Sequence, residues 1–400
     1  MEILPILLGG DLNCYGMALA FYETGYHRSL VLGRYRLGVT SFSRITRAHT
    51  AKKMDNDRGR CEMIREIAGK YPGSVPIVIG CTDEYASFLV RNADAFDPHF
   101  VIPSPHVSAL RYADKGVFTS ACERYGLHVP RSVVLKKGDA VPQNLPFSYP
   151  IVLKPARSEE YWHHPFEEMR KVWFPKSRAE AEAICERIRA SGYSSDLVLQ
   201  ERLDIADEDN YVLTVYSDRL ARVVAVAYGR VLLEEHTARG LGNHAAILTE
   251  QMPEECCKII DFLEDVGYCG FSNFDFVRDA KTGRLYVLEM NLRQGRSNHY
   301  MTAAGINPAA LVIADRVYGQ KLELVEASVD VFWHSVPQDV IYSRLKDREL
   351  CRRLRMLSAD GRAVSPLHIG ADLSKNPLRR LFVMEHERRI RKRCKAIAAE

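Results

Sequence analysis

Asp275, Glu289 and Asn291 are the residues of this 400-residue chain whose types and spacing point most directly to chemistry. They lie in two strand-like segments, 271-FSNFDFVRD-279 and 284-RLYVLEMNLRQGRS-297, separated by the turn residues of 279-DAKTG-283. Side chains alternate along a strand, so Leu285, Val287, Glu289 and Asn291 are expected on one face. Phe271, Asn273, Asp275 and Val277 are expected on one face of the partner strand. A hairpin closing on a loop of about five residues sets Asp275 opposite Glu289, with Cβ atoms roughly 5 Å apart. Two carboxylates and an amide oxygen then converge, a hard oxygen set that suits Mg²⁺ and leaves its other positions to water and phosphate oxygens. Glu289 stands among Tyr286, Val287, Leu288, Met290 and Leu292, where a carboxylate is costly unless a cation or donor meets it. Arg293 and Arg296 could be that partner, which leaves a structural ion pair as the alternative.

Cations are the second ingredient. Lys154 sits in the apolar run 151-IVLKPA-156, and lysine is rarely buried without a partner. It is read as a fixed cation aimed at a polyphosphate, or as an ammonium that snorkels to the strand end. Lys115 opens a helix that Asp114 can cap. Downstream, 197-LVLQERLDIADEDN-210 runs from an apolar strand into an acidic cluster. Gln200, Glu201 and the backbone through Arg202 and Leu203 could face an adenine edge. One of Asp204, Asp207, Glu208 or Asp209 could accept from ribose hydroxyls, although most carboxylates there read as a solvated loop. The loop 9-GGDLN-13 follows the first strand, where open α/β sheets place ligands, but a tight turn is an equal reading.

The elements that must position these groups begin with an alternation of strands and helices. Ile3–Leu8, Ser29–Leu32, Val75–Ile79 and Phe100–Ile102 read as buried strands. Tyr15–Glu23, Asp57–Ala68 and Asp83–Arg91 read as the helices between them, giving an open, doubly wound sheet. No GxGxxG fingerprint is present, which argues against a dehydrogenase. A boundary at 103–116 precedes a short helix to about Tyr125. Strands follow at 149–155 and 196–203, with a helix from Ser177 to Gly192 between them. Further strands are expected near Tyr211–Tyr216 and Leu220–Tyr228, then helices at Pro253–Val266 and Pro308–Tyr318.

Composition is that of a globular chain with substantial cores: 46% hydrophobic and 26% charged. Net charge is +4, and residues 377–400 alone hold eight Lys/Arg against three Glu, so the basicity belongs to a tail and a broad nucleic-acid surface is not supported. Ten scattered cysteines show no metal-ligand spacing and no CxxC pair. The start MEILPILLGG lacks a basic signal-peptide region, and no apolar run reaches membrane-spanning length, so a cytoplasmic location with reduced thiols is expected.

Taken in order, Lys115, the 151-IVLKP-155 lysine, the Gln200–Glu201 segment, Asp275 and 289-EMNLR-293 resemble the ATP-grasp pattern over about 110–320. The resemblance implies an α/β chain: a Rossmann-like domain (1–110), ATP-grasp N-terminal (111–203) and C-terminal (204–325) subdomains with nucleotide held between them, and a C-terminal extension (326–400). It implies ATP, with Lys115, Lys154 and Lys171 toward the phosphates and Gln200, Glu201, Arg202, Leu203 and Asp209 toward the nucleoside. Asp275, Glu289 and Asn291 would hold Mg²⁺, for which Mn²⁺ could substitute, and Arg293 would act with Lys154 at the reacting centre. The stretches 5-PILLGGDLNCYGMALAFYE-23, 145-LPFSYPIVLKPARSEEYW-162 and 289-EMNLRQGRSNHYMTAAGIN-307 are more closely similar to the D-aspartate ligase family within these carboxylate–amine ligases. That likeness implies peptidoglycan biosynthesis: D-aspartate is activated as an acyl phosphate and joined to the lysine side chain of an anionic precursor. Gly9, Gly10, Asp11, Asn13, Arg296 and Ser297 would then bind substrate.

One departure is 156-ARSEEYWHHPFEEMR-170, which has no glycine where many ATP-grasp enzymes carry a glycine-bearing loop. The group capping the γ-phosphate is therefore open among Ser158, His163, His164, Arg170 and Lys171. Other implied readings are a ligase making a dipeptide or other small amide, and a nucleotide-binding module without turnover. The basic tail is read first as a solvated helix, with contact to an anionic precursor or a weak membrane-surface patch as alternatives.

Overall fold

The computed structural model describes residues 2–205, 207–235 and 242–397. The side chains of Ser158 and Asp207, both raised above as candidates, lie outside what it describes. Four parallel strands form the first sheet: β1 Glu2–Leu8, β2 Ser29–Gly33, β3 Thr46–Thr50 and β4 Ser74–Gly80, in the order β3-β2-β1-β4. Strand β3, TRAHT, is a polar edge strand that apolar periodicity does not reveal. The expected strand at Phe100–Ile102 is absent; Val101 makes only a single bridge to Ile77 before Pro103 removes the next donor. Helix Leu12–Glu23 is buried from Leu12 to Phe21 because its sequence is apolar on every side. It lies between the first sheet and a larger one, in a core shared by Leu7, Tyr15, Phe21, Tyr216, Tyr300 and Trp333.

A second, antiparallel sheet comprises β5 Ser132–Leu135, β6 Ile151–Pro155 and β7 Leu197–Glu201, ordered β5-β7-β6 and backed by helix Arg178–Ala190. The third sheet holds β8 Asn210–Ser217, β9 Val223–Glu234, β10 His244–Glu250, β11 Gly270–Arg278, β12 Leu285–Asn291, β13 Val325–Glu326, β14 Phe332–His334 and β15 Ala363–Val364. Its path runs β12-β11-β8-β9-β10-β14-β15, with β13 paired to β9. Residues after 325 are thus woven into the main sheet. Helices Lys115–Arg124 and Cys257–Asp265 cover one face of it through Phe118, Cys122, Ile259 and Phe262. The helix expected over Pro308–Tyr318 is α-helical only to Val312 and then widens to a π-turn, Ile313–Val317. All ten cysteines are free, six of them buried. Among the described residues no helix is long and apolar enough to cross a membrane.

Candidate active site

Asp275 pairs directly with Glu289, and Asn273 with Asn291, across β11 and β12. The expected face assignment is nonetheless only half right. Phe276 pairs with Val287, which leaves Leu288 as an extra residue, a β-bulge that reverses the alternation. Leu285, Val287, Met290 and Leu292 therefore share one buried core with Phe274 and Phe276. Asp275, Glu289 and Asn291 are turned together to the opposite face. The bulge is what separates the carboxylates from the apolar side chains beside them in sequence.

Burial first, and the Glu289 charge second, push the Asp275 carboxyl well above the usual carboxylate range. Glu289 is held well below that range, chiefly by Lys115, whose Nζ lies 3.3 Å from its carboxylate. Amide donors flank Asp275: Asn273 Nδ2 at 3.3 Å and Asn291 Nδ2 at 3.4 Å, and Thr214 Oγ1 orients Asn273 from 2.9 Å. Asn291 thus turns its amide hydrogen to Asp275, which leaves its oxygen for another partner. A raised and a lowered carboxylate face to face are a pair short of positive charge, and the donor set of two carboxylates and one amide oxygen fits a hard divalent cation.

Lys154 reaches back along the second sheet, where Nζ donates to Gln200 Oε1 at 3.0 Å, and Gln200 Nε2 donates to Ser132 Oγ at 3.0 Å. Both ends of the Gln200 amide are engaged, so it positions Lys154. Burial and repulsion from Lys115 push Lys154 down to about 7, and the charge of Lys171 acts in the same direction. Glu201 also faces inward: its carboxylate accepts from Arg131 N at 2.7 Å and Arg131 Nε at 2.8 Å. Arg202 lies 5.3 Å over the Phe174 ring. Of the expected adenine-facing group, these engagements take up the side chains of Gln200, Glu201 and Arg202, and the half-buried Leu203 lies just past the end of β7. Asp209 ends the helical turn Asp207–Asp209 that leads into β8.

The substrate-side candidates divide. Asp11 caps helix Leu12–Glu23, accepting from Cys14 N at 3.2 Å; burial raises its carboxyl while Arg296 and Arg293 draw it back. Gly10 O accepts from Thr40 Oγ1 at 2.9 Å, and Gly9 N donates to Leu32 O at 2.9 Å, so the loop is a fixed turn. Asn13, by contrast, is 1% exposed and spends its amide on Gln294 O (2.9 Å), Gln294 Nε2 (3.0 Å) and Asn298 Nδ2 (2.8 Å). It ties helix Leu12–Glu23 to the segment after β12 instead of facing a ligand. Ser297, 2% exposed, is likewise inside. Arg296 is half-buried and bonded to Glu235 at 2.7 Å. Arg293 is fixed by Asp83, with its Nε 2.7 Å from Oδ1, and by Gln294 O, 3.0 Å from Nη1; burial opposes its charge, but Asp83 with Asp11 and Asp275 raises the guanidinium further.

His244, at the start of β10, escapes the sequence reading. Its Nε2 is 3.8 Å from Asp275 Oδ1, and burial with Lys171 nearby pushes it down to about 4, so it faces Asp275 as a neutral ring. Asp83 and Glu235 were also missed. For His244 and Glu235 the available hint was the pair of glycines, Gly240 and Gly242, that lies between them in the sequence.

No family model matches the chain. A D-aspartate ligase of Enterococcus faecium (strain Aus0004) is 31% identical over 363 residues, covering 87% of this chain and 86% of that protein. Among solved structures, an L-amino acid ligase from Bacillus licheniformis superposes with a TM-score of 0.54 at 15% identity, covering 79% of this chain and 74% of its own. The ADP complex of purK, an N5-carboxyaminoimidazole ribonucleotide synthetase, gives 0.60 at 17%, covering 89% and 87%. At such identities these two structures establish a shared fold.

Proposed function

We propose that this chain, which belongs to the D-aspartate ligase family of ATP-grasp enzymes, is an ATP-dependent ligase that joins D-aspartate to the lysine side chain of a peptidoglycan precursor in the cytoplasm. The observation that carries the reading is the Asp275–Glu289 pair, set opposite each other and ringed by Lys115, Lys154 and Lys171. Nucleotide would lie between the unit of 111–203 and that of 204–325, with Lys115, Lys154 and Lys171 along its phosphates. Asp275, Glu289 and Asn291 fit Mg²⁺, with Mn²⁺ as a substitute; bound there, the ion would supply charge neutralisation for phosphate oxygens.

A carboxylate does not condense with an amine at neutral pH until it is activated. Bringing an anionic acid onto an anionic triphosphate is opposed by repulsion, so fixed cations and positioning supply most of the catalysis. Lys154, Lys115 and Arg293 are held for that purpose by Gln200, Glu289 and Asp83. Transfer of the terminal phosphoryl group to D-aspartate gives an acyl phosphate and ADP. The amine then attacks the acyl carbon, forming the amide and releasing phosphate. The test is ADP release by the full-length protein with ATP, Mg²⁺, D-aspartate and a lysine-bearing precursor, with the product identified by mass. Equal turnover with L-aspartate, or release that does not need D-aspartate, overturns the substrate assignment.

A further inference from the structure

We infer that the first domain carries an anion site of its own: a cavity beside the edge strand β3 in which Arg36, Lys53 and Lys70 converge to take the phosphate group of a small phosphorylated molecule. None of its residues belongs to the ATP-grasp pattern or to the surroundings of Asp275 and Glu289, so the site stands apart from the ligase reading.

The cavity has a volume of about 320 Å³, within the range of small-molecule pockets and roughly ten times the share of one water in the liquid. Three stretches of chain build it. Strand β3 contributes His49, and as the outermost strand of the order β3-β2-β1-β4 it has no further strand beside it. Arg36 comes from the loop after β2, and Lys53 from the turn Lys52–Asp55 that follows β3. Helix Asp57–Ala68 adds Glu66 from its last turn, and Lys70 stands just past its end.

Charge decides what such a cavity holds. Among the described residues Glu66 is the single carboxylate on its walls, and it serves two ammonium groups, Lys53 Nζ at 2.5 Å and Lys70 Nζ at 3.6 Å. Arg36 enters no ion pair among the described residues, whereas its near neighbour Arg34 is taken by Asp55. His49 adds no charge at neutral pH: burial, then Arg47 and Lys70, hold its imidazole below the ordinary range. Three cations against one carboxylate leave two positive charges, the complement of a phosphate dianion. This excess is not background. The tail 377–400 holds eight cations against three anions, so of the net +4 the rest of the chain carries −1. Lys53, Lys70 and Glu66 also keep 37%, 58% and 55% of their side-chain surface in solvent, so a phosphate oxygen can take the place of the Glu66 carboxylate without disturbing the core.

The experiment is calorimetric titration of the full-length protein with inorganic phosphate and with glycerol 3-phosphate. Lys53→Gln combined with Lys70→Gln should weaken binding about ten-fold or more, because two charge-assisted contacts are lost. Glu66→Gln should act in the opposite direction and tighten it about three-fold or more, because the competing carboxylate is gone. Added salt should weaken binding to the wild type more than to the double lysine variant. Tighter binding of glycerol 3-phosphate assigns the site to an organic phosphate and tighter binding of inorganic phosphate to the free ion; either order supports a phosphate site. Wild-type affinity in the double lysine variant, no tightening in Glu66→Gln, or wild-type protein that binds neither probe overturns the inference. ADP–Mg²⁺ should bind the double lysine variant as it binds the wild type; a parallel loss there puts the phosphate in the nucleotide site and overturns the inference as well.

Discussion

Replacing Lys154 by Met should abolish productive nucleotide binding and yet make the protein more stable at neutral pH. The amine is held at about 7 against an ordinary 10.5 by burial and by Lys115. A difference of that size corresponds to at most about 4 kcal/mol against the folded state at pH 7. Partial solvent contact of the side chain reduces it to about 3 kcal/mol. Met leaves Gln200 Oε1, now 3.0 Å from Nζ, without its donor, which returns about 1–2 kcal/mol. The net expectation is a gain of about 1–2 kcal/mol below pH 7. The sign with pH follows from proton counting. Between about 7 and 10.5 the unfolded lysine keeps a proton that the folded one has lost, so raising pH disfavours unfolding of the wild type and the advantage of Met shrinks. Urea denaturation of both proteins at pH 6.5 and pH 9 measures this. A nucleotide phosphate beside Lys154 should restore its charge, so ADP–Mg²⁺ binding near pH 8 should take up close to one proton, read by calorimetry in buffers of different ionisation heat. A Met variant less stable at pH 6.5, or an advantage that does not shrink by pH 9, refutes the argument.

Glu289→Gln and Asp275→Asn should each lower ATP-dependent amide formation by about 10³-fold or more while leaving the far-UV circular dichroism unchanged; turnover within ten-fold of wild type contradicts their assignment as metal ligands. Asn13→Ala should act on stability, costing about 1–3 kcal/mol in denaturation because Gln294 and Asn298 lose a buried partner, with substrate KM little altered in the folded fraction. Gly295→Ala should cut turnover sharply, since its Cβ would stand 2.5 Å from Asn273 Oδ1 and must displace the amide that orients Asp275; wild-type kcat in that variant shows the Asn273 contact to be dispensable.

Local signals were legible where one residue's type decides one local feature. Asp114 caps its helix through Gly116 N and Val117 N, helix Asp57–Ala68 has the expected bounds, and Asp275 stands opposite Glu289 as expected, although the Arg278–Leu285 pairing shows that a longer loop and the bulge together bring it there. The bulge at Leu288 is not legible in the sequence and emerges only from the strand pairing. Residues 285–288 form an unbroken apolar run, and Leu288, Met290 and Leu292 alternate strictly with Glu289 and Asn291, so no slip shows in the residue pattern. The Asn13–Gln294–Asn298 cluster was not readable. It joins amides some 280 residues apart, and an asparagine in a glycine loop looks the same whether it faces a ligand or a domain seam. Strands β14 and β15, three and two residues long, are too short to carry a period, so the C-terminal region read as an appendage until their pairing placed it in the main sheet.

The site's cations share one arrangement, and it bears on how a polyanion could be accepted there. Lys115 is held by Glu289, Arg293 by Asp83 and Arg296 by Glu235, each pair formed between different structural elements. A cation kept in place by a carboxylate of the chain needs little reorganisation when a phosphate or substrate carboxylate arrives, because the exchange is one oxyanion for another. Lys154 differs: its partner is the neutral Gln200, and burial with the charge of Lys115 drives its amine toward neutrality. The first three pairs therefore fix geometry, while Lys154 is a cation whose charge a bound nucleotide phosphate would restore.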